Sequence, residues 1–381
     1  MKRTEKIFLN YGTVGLMGEP AYLAATKFLQ AYYEVGPPEV LIEYEPYVEK
    51  LTQEISTLLS CDKEEVVYIK NTTEGLFLAS EALPLYPGDE VIVSSREYPA
   101  TLLTWFKKRK DGITVTVLHR ESSEGLEDAL ISAITPKTKV ITVAWAQHQD
   151  GYVPDLNRLG RACRERGIYL VVDGVQGVGV RGLNLAETPV DILVCGGQKY
   201  LGGIVGIGFM YVRKEILKDL KDIKVGLRSM ESFTQDSYTI RNTARRFEDG
   251  TINLLGVVAL HAALEHINKV GIEEVSARGT ALLLQHKAIL RERGISFIDH
   301  KNQSNIITIE TKDPAALAQC LREQKVYVRA LTGAIRLSFI HNSSPEEFAY
   351  AADKIAEWFA LNPEARKEIT PTFQQELAPI R

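Results

Sequence analysis

Three segments of the sequence place reactive or polar side chains beside glycines, each after an apolar run typical of a buried strand. Asp173 and Gln176 follow one run, Gln198 and Lys199 follow a second, and Asn71-Thr72-Thr73-Glu74-Gly75 follows a third. Lys199 stands 26 residues after Asp173. Ligands of open α/β sheets bind just beyond the carboxyl ends of the strands, so we expect the three segments to meet in one site.

The residue types in these segments indicate a pyridoxal 5'-phosphate (PLP) site. A desolvated lysine has a lowered pKa and can condense with an aldehyde. A carboxylate such as Asp173 keeps a pyridine nitrogen protonated, which makes the ring an electron sink. Hydroxyls and free N–H groups at a helix start bind a phosphate. Each feature alone is common in capping, turns or surface positions, so the prediction depends on their order and spacing.

The elements that must position these residues alternate between strand and helix from about residue 65 to 215. The predicted strands are Val66–Lys70, Glu90–Ser95, Thr114–His119, Lys139–Trp145, Ile168–Asp173 and Asp191–Cys195. The predicted helices between them are Thr73–Ala82, Ala100–Lys110, Leu126–Ile134 and Asp155–Arg166. Such alternation predicts an α/β fold with a mainly parallel, doubly wound sheet, and Gly206–Val212 could add an antiparallel strand.

The pattern changes near Asn253, where a smaller α+β domain is predicted. It holds helices at Leu254–Val270, Ile272–Arg293 and Pro314–Gln324, with strands at Asn305–Glu310 and Ala334–Phe339. We therefore expect an N-terminal segment over residues 1–14, a large cofactor-binding domain over 15–252, the small domain over 253–361 and a loose tail over 362–381.

The composition narrows the class of protein. The 381 residues are 45% hydrophobic and 25% charged, with a net charge of −4, which is ordinary for a globular protein and argues against a nucleic-acid partner. The first residues turn polar where a signal peptide needs an apolar run, and no run is long enough to span a membrane. The four cysteines, Cys61, Cys163, Cys195 and Cys320, form no pairing or metal pattern. We expect a cytoplasmic protein with reduced thiols and no metal site.

Taken together, the motifs resemble those of class V, fold-type I PLP-dependent enzymes, the superfamily of cysteine desulfurases, isopenicillin-N epimerase-like proteins and cystine C–S lyases. The resemblance extends from about Phe8 to Phe359, and the spacing of Asp173, Gln176 and Lys199 matches the family pattern. Arg246-Phe247-Glu248-Asp249-Gly250-Thr251-Ile252-Asn253 also matches. Val225-Gly226-Leu227-Arg228-Ser229 and the ending Val328-Arg329…Ile335-Arg336-Leu337-Ser338 are most similar to the cystine lyase branch.

The resemblance implies roles in cofactor binding. Lys199 corresponds to the lysine that carries PLP, Asp173 to the partner of the pyridine nitrogen, and Gln176 to the amide that bonds the ring hydroxyl. The implied phosphate site is formed by Thr72, Thr73 and Glu74.

The resemblance also implies a substrate site and a homodimer. Arg336 corresponds to the arginine that binds the substrate carboxylate, with Arg228 and Arg329 as alternatives. Asn10 and Tyr11 correspond to a segment that folds over a small amino-acid substrate. Thr251 corresponds to a residue that reaches the phosphate of the other subunit, which implies a homodimer with shared active sites.

Three positions depart from the family pattern. Tyr98 stands where relatives usually place a histidine over the PLP ring, and its phenol, with an ordinary pKa of about 10, is a poorer proton shuttle near neutral pH. Gln198 replaces the usual histidine before the lysine, and Gln149 aligns with the asparagine near the ring hydroxyl. We expect all three near the cofactor, with Tyr98 among the catalytic residues.

The resemblance and one missing residue type together predict the reaction. Desulfurases need a nucleophilic cysteine on a mobile loop ahead of the carboxylate arginine, but no cysteine lies between Arg329 and Arg336. The resemblance to the cystine lyase branch, together with this absence, implies a PLP-dependent lyase that cleaves a C–S bond of cystine or an S-substituted cysteine by β-elimination, without an enzyme persulfide. A class V aminotransferase or an amino-acid epimerase is the alternative. The joint presence of Lys199, Asp173 and Arg336 argues against a catalytically silent binding module.

Overall fold

A seven-stranded sheet forms the centre of the protein in the computed structural model, which describes residues 6–120 and 122–367. The strands over these residues are β1 Ile7–Phe8, β2 Val66–Ile69, β3 Glu90–Ser94, β4 Thr114–Leu118, β5 Thr138–Ala144, β6 Tyr169–Asp173, β7 Ile192–Gly196, β8 Gly208–Val212, β9 Met230–Phe233, β10 Tyr238–Ile240, β11 Ile306–Glu310, β12 Val326–Tyr327, β13 Arg329–Leu331 and β14 Ala334–Ser338. The α-helices are α1 Glu19–Glu34, α2 Pro37–Tyr44, α3 Tyr47–Leu59, α4 Thr72–Ala82, α5 Pro99–Lys108, α6 Leu126–Ser132, α7 Leu156–Arg164, α8 Leu254–Val270, α9 Ile272–Glu292, α10 Pro314–Glu323 and α11 Pro345–Leu361.

The strand order of the central sheet is β2-β8-β7-β6-β5-β3-β4. Neighbours from β7 to β4 are parallel, whereas β8 runs antiparallel to both β7 and β2. The predicted parallel sheet is confirmed, and the antiparallel strand expected within Gly206–Val212 is β8. Because β2 and β5–β7 point the same way, their carboxyl ends share one edge, and that edge carries the candidate site.

Helices cover both faces of this sheet, which makes it doubly wound. Alternate strand residues face opposite cores: Leu170 and Val172 pack in one core with α3, α6, α7 and α8, and Val171 packs in the other with α4 and α5. Burial on both faces explains why the strands are apolar with little alternation.

A second, smaller core lies around the antiparallel sheet β11-β14-β13 and helices α9–α11. The N-terminal strand β1 pairs in parallel with β12, and Leu9 belongs to this core. The predicted domain bounds stay a prediction, with one change that we propose. The apolar residues of α8 pack in the core of the large sheet with α1 and α3, so we place the start of the small domain at α9 rather than at Asn253.

The remaining points concern an exposed hairpin, membrane spans and the tail. The hairpin β9–β10 is an exposed element that the sequence did not predict. Among the described residues, no helix is long and apolar enough to cross a membrane. The predicted loose tail falls largely on residues 368–381, outside the described residues.

Candidate active site

Asp173 is the last residue of β6, and its carboxylate is buried at the carboxyl edge of the sheet. The side chain is only 3% exposed, and Oδ1 accepts a hydrogen bond of 3.0 Å from the Val175 amide. Burial raises the pKa of Asp173 despite that bond and the nearby Lys199 ammonium. A buried carboxylate of this kind is stabilised by a cationic partner such as a pyridinium.

Lys199 lies in the loop after β7, and its side chain is partly buried. It is close enough to Asp173 for the carboxylate charge to affect its pKa. Burial lowers the pKa of Lys199 to about 8, which Asp173 opposes and the Arg336 charge reinforces. A substantial fraction of the amine is therefore unprotonated near neutral pH, as a nucleophilic lysine requires. The Gly15 amide donates to the Gln198 carbonyl at 2.7 Å and fixes this loop against the N-terminal segment.

Tyr98 and His148 line the space beside the lysine. Tyr98 is the N-cap residue of α5 and is 52% exposed, and the Lys199 Nζ lies 5.9 Å from the centre of its ring. The His148 ring meets the Tyr98 ring edge to face, with centroids 5.4 Å apart. Burial and the charges of Arg336 and Lys199 lower the pKa of His148 to about 3, so its imidazole is neutral at physiological pH.

His148 was missed by the sequence analysis. It follows β5 in a loop whose path depends on tertiary contacts, and nothing in the local pattern signals its contact with Tyr98. Its Nδ1 is buried and has no hydrogen-bond partner.

The start of α4 provides the candidate phosphate site. Asn71 caps this helix, accepting from the Glu74 amide at 2.9 Å, and the Thr72 hydroxyl is buried without a partner, while Thr73 is exposed. The Glu74 carboxylate accepts from the Lys70 amide at 2.6 Å and pairs with Lys224 at 3.4 Å. We propose that Glu74 stabilises the loop rather than contacting the phosphate, because two anions at one helix start would repel.

Three glutamines approach the same edge, Gln176 from the loop after β6 and Gln147 and Gln149 from the loop after β5. The Gln176 amide donates from Nε2 to the Gly12 carbonyl at 2.8 Å, and its Oε1 has no partner. Gln149, predicted near the ring hydroxyl, is buried with Oε1 unpartnered. Gln147 has the same feature and is a second candidate for that role, which the sequence analysis missed.

A buried carboxyl group, Glu97, fixes Gln147. Its Oε1 accepts from Gln147 Nε2 and its Oε2 from the Ala144 amide, both at 2.9 Å. Burial raises the pKa of Glu97 to about 8, with a further contribution from the charge of Asp173. Much of Glu97 is therefore neutral near pH 7, which limits charge repulsion in this part of the site.

Arg336 on β14 is the candidate anchor for a substrate carboxylate. Its Nη1 donates to the His148 carbonyl at 2.7 Å and its Nη2 to the Thr13 hydroxyl at 2.9 Å, while Nε is buried without a partner. Burial lowers the pKa of Arg336 to about 10, so the group remains cationic at neutral pH.

The N-terminal segment that contains Asn10 and Tyr11 reaches this arginine through Thr13, and its expected contact with a substrate stays a prediction. Asn10 accepts a hydrogen bond of 2.7 Å from the Thr13 hydroxyl and forms a bridge with Ser338, and Tyr11 is buried. A Cβ on Gly12 would lie 3.1 Å from the Arg336 guanidinium carbon. The segment therefore closes one side of the candidate site.

Two predicted site residues lie in other surroundings. Arg228 pairs with Glu45 at 2.7 Å and with Glu248 at 3.1 Å, which occupies its guanidinium in a separate ion-pair network. Thr251 is exposed in a loop before α8. Its proposed contact with a second subunit stays a prediction.

The fit of these residues to PLP can be tested from their unpartnered atoms. Seven buried polar atoms without hydrogen-bond partners come from segments that bear on this site: Thr72 Oγ1, Gln147 Oε1, His148 Nδ1, Gln149 Oε1, Gln176 Oε1, Gln198 Oε1 and Arg336 Nε. An unsatisfied buried polar group costs about 1–3 kcal/mol, so such a concentration indicates a polar ligand. With the lysine, the buried carboxylate and the capped helix start, the set fits the aldehyde, pyridine nitrogen, hydroxyl and phosphate of PLP.

Comparisons with known proteins agree with this reading. The family model for class-V aminotransferases matches residues 37–347. A probable cysteine desulfurase of Methanothermobacter thermautotrophicus is 24% identical over 312 residues, which cover 80% of this chain and 78% of that protein.

Two solved structures share the fold. The cystine C–S lyase C-DES, in complex with its reaction product cysteine persulfide, superposes with a TM-score of 0.87 at 20% identity and covers 93% of this chain and 98% of its own. A variant of C-DES with glycine covalently linked to the PLP cofactor gives a TM-score of 0.86 at 21% identity, over 93% of this chain and 97% of its own.

Proposed function

The chain belongs to the class-V aminotransferase family, with PLP as its cofactor, and we propose that it cleaves a C–S bond of cystine or an S-substituted cysteine by β-elimination. Bound PLP supplies an electron sink for the pair of electrons left when a bond at the α-carbon breaks. The observation that carries the proposal is the joint placement of Lys199 and Arg336, a base with a lowered pKa and a cation with a free donor, around one space.

In this proposal Arg336 binds and orients the substrate carboxylate. Its Nη1 and Nη2 are each held by one hydrogen bond to the protein, so the guanidinium plane is fixed before substrate arrives. The free Nε–H and a remaining hydrogen on Nη2 lie along one edge and suit a bidentate carboxylate. The N-terminal segment at Thr13 and Asn10 then shields this pair from water.

Lys199 is the proposed base that moves the α-proton. The Lys199 Nζ is desolvated, and its lowered pKa, about 8, lies near physiological pH, where a general base works best. With PLP bound, the buried Asp173 carboxylate would keep the pyridine nitrogen protonated. Tyr98 covers the solvent-exposed side of the space beside Lys199. The His148 imidazole is neutral at this pH, so it offers a hydrogen bond rather than a proton.

The cysteines support elimination without an enzyme persulfide. Cys195 is 1% exposed at the end of β7, and burial raises the pKa of its thiol. The segment between Arg329 and Arg336, where a desulfurase would carry its cysteine loop, is the tight hairpin β13–β14 turning at Thr332-Gly333. A short hairpin without cysteine does not supply a mobile thiolate.

The experiment is product analysis with the PLP-loaded enzyme and a panel of cystine, S-methylcysteine and alanine. We expect pyruvate, ammonia and a sulfur product from the first two substrates, with the cofactor remaining as PLP. Cys320→Ala should keep this activity, whereas Lys199→Ala should lose it. Accumulation of pyridoxamine phosphate that a keto acid discharges would instead establish the aminotransferase alternative, and racemised substrate would establish the epimerase.

A further inference from the structure

A buried cluster of charged groups lies beside the candidate site but contributes nothing to it directly. The Arg96 Nη2 donates to Asp150 Oδ2 at 2.8 Å, with 4% and 2% of the two side chains exposed. His300, 5% exposed, approaches the same oxygen through Nε2 at 3.4 Å and contacts Glu124 Oε2 through Nδ1 at 2.8 Å. Among the described residues, the cluster therefore places the carboxylates of Asp150 and Glu124 on opposite sides of the His300 ring, with Arg96 paired to Asp150.

The cluster joins the two cores of the protein. Arg96 follows β3 and Asp150 follows β5, both in the large sheet, whereas His300 lies between α9 and β11 of the smaller core. The smaller core adds a further charged pair on the other side of the histidine, since Lys287 Nζ donates to Asp299 at 2.6 Å and to the His300 carbonyl at 3.4 Å.

Asp150 belongs to the loop 147–151, and the smaller core holds that loop by its carbonyl groups. Arg336 donates to the carbonyl of His148, Gln303 to that of Asp150, and the Ser304 amide to that of Gly151. These contacts make the loop a direct support of the Arg336 guanidinium.

A fourth contact ties the loop to the strand pair that carries the arginine. The Thr308 hydroxyl donates to the Gln149 carbonyl, and Thr308 is the direct cross-strand partner of Arg336. A movement of Asp150 can therefore be transmitted to Arg336 by two routes. One runs along the backbone through Gln149 to the His148 carbonyl, and the other through the Gln149 carbonyl to Thr308, the cross-strand partner of Arg336.

We propose that protonated His300 is a positioning residue that, through Asp150 and the loop 147–151, holds Arg336 in the orientation that binds a substrate carboxylate. The inference rests on the proposed role of Arg336 as the carboxylate anchor. Its observable consequence is a carboxylate affinity that depends on the charge of a histidine outside the site.

The neighbours of His300 favour its protonated form. Burial lowers the pKa of His300, but the charge of Asp150 and the hydrogen-bonded carboxylate of Glu124 outweigh burial, so that pKa lies above its ordinary value. Below the pKa, a positive charge on His300 lies between the carboxylates of Asp150 and Glu124. As pH rises through the pKa of His300, the histidine loses its positive charge. The carboxylates of Asp150 and Glu124 then repel each other, and the loop 147–151 is held less firmly.

The test measures carboxylate binding rather than turnover. The probe is 3-(methylthio)propanoate, which has the carboxylate and thioether of S-methylcysteine but no amino group to condense with the cofactor. Its dissociation constant for the PLP-loaded enzyme is measured by calorimetry from pH 5.5 to 9, and the pKa of His300 by NMR of labelled histidine. We expect affinity to fall by about fivefold or more across the His300 titration, the lower end of measured couplings between sites.

Three variants isolate the histidine. His300→Gln should bind weakly at every pH and lack this transition. Glu124→Gln alters an exposed partner without disturbing the core, and should shift the transition down by about one pH unit, because one charge that favours protonation is lost. His286→Phe is the matched control: this second buried histidine stacks on Phe348 at 3.7 Å, and its replacement should leave the transition unchanged.

The outcomes separate this inference from the proposed function. Binding of the probe to wild type with no transition at the His300 pKa, or with the same transition in Glu124→Gln, would overturn the positioning role and leave the elimination proposal intact. Failure of the probe to bind at any pH would overturn both the anchor and the positioning role. Product analysis on S-methylcysteine tests the elimination itself, whatever the probe shows.

Discussion

Replacing Arg336 by alanine should raise the KM for an S-substituted cysteine with a smaller effect on kcat. Arg336 is 3% exposed, cationic at neutral pH, and has a free Nε–H beside a hydrogen of Nη2. Truncation removes the charge and both donors. It also leaves the His148 carbonyl and the Thr13 hydroxyl without the donor that each has in the wild type.

The magnitude follows from the kind of pair that is lost. A charge-assisted hydrogen-bonded pair contributes about 1.5–3 kcal/mol, which corresponds to a rise in KM of about 10- to 150-fold. The assay is pyruvate release from S-methylcysteine, with the PLP absorbance and the melting temperature recorded to show that the variant is folded and loaded. Arg336→Lys keeps the charge but loses the fork, and should fall between wild type and Arg336→Ala.

Two other arginines provide matched controls. Arg329 is exposed and pairs with Arg336 across β13–β14, and Arg228 is held by Glu45 and Glu248. Alanine at either position should change KM by less than about threefold, as expected for a substitution away from the substrate-binding groups. A small effect at Arg336 with a large effect at one of these two would refute the assignment of the anchor.

The remaining predictions concern the cofactor and the assembly. Asp173→Asn should keep the fold and bound PLP but slow turnover by about a hundredfold or more, as for loss of an electrostatic stabiliser, and near wild-type kcat would show that Asp173 is misassigned. Uptake of PLP by the apoenzyme should accelerate as pH rises through about 8, because the Lys199 amine loses its proton there; a rate independent of pH would contradict this. The protein should be a homodimer, supported by the exposed apolar residues Leu23, Tyr33 and Ile42 on or beside α1 and α2. Mixing inactive Lys199→Ala with inactive Thr251→Arg should then restore activity, and sedimentation as a fully active monomer would exclude shared sites.

The sequence predicted the central sheet to within one or two residues at most strand ends. Strands such as β6 are buried on both faces, so an unbroken apolar run marks them, and the strand ends place Asp173 and Lys199 at one edge. Long apolar helices such as α8 were equally clear. The exposed hairpin β9–β10 lacks that signal, and only tertiary pairing defines it.

The site was predictable where its residues follow strands, and less so where loops meet. Burial raises the pKa of Asp173 and lowers that of Lys199. The apolar strand pattern already implies this burial. The contact of His148 with Tyr98, the fixing of Gln147 by Glu97 and the cluster around Asp150 each join segments distant in sequence. Local patterns carry no information on such pairs.

The most direct test of the account is to locate the cofactor bond. Borohydride reduction of the PLP-loaded protein, followed by proteolysis and mass spectrometry, identifies the lysine that carries the cofactor. The account predicts one modified peptide, containing Gln198-Lys199-Tyr200, and loss of the visible absorbance on reduction. A reduced cofactor attached to any other lysine, or a protein that takes up no PLP, would contradict it.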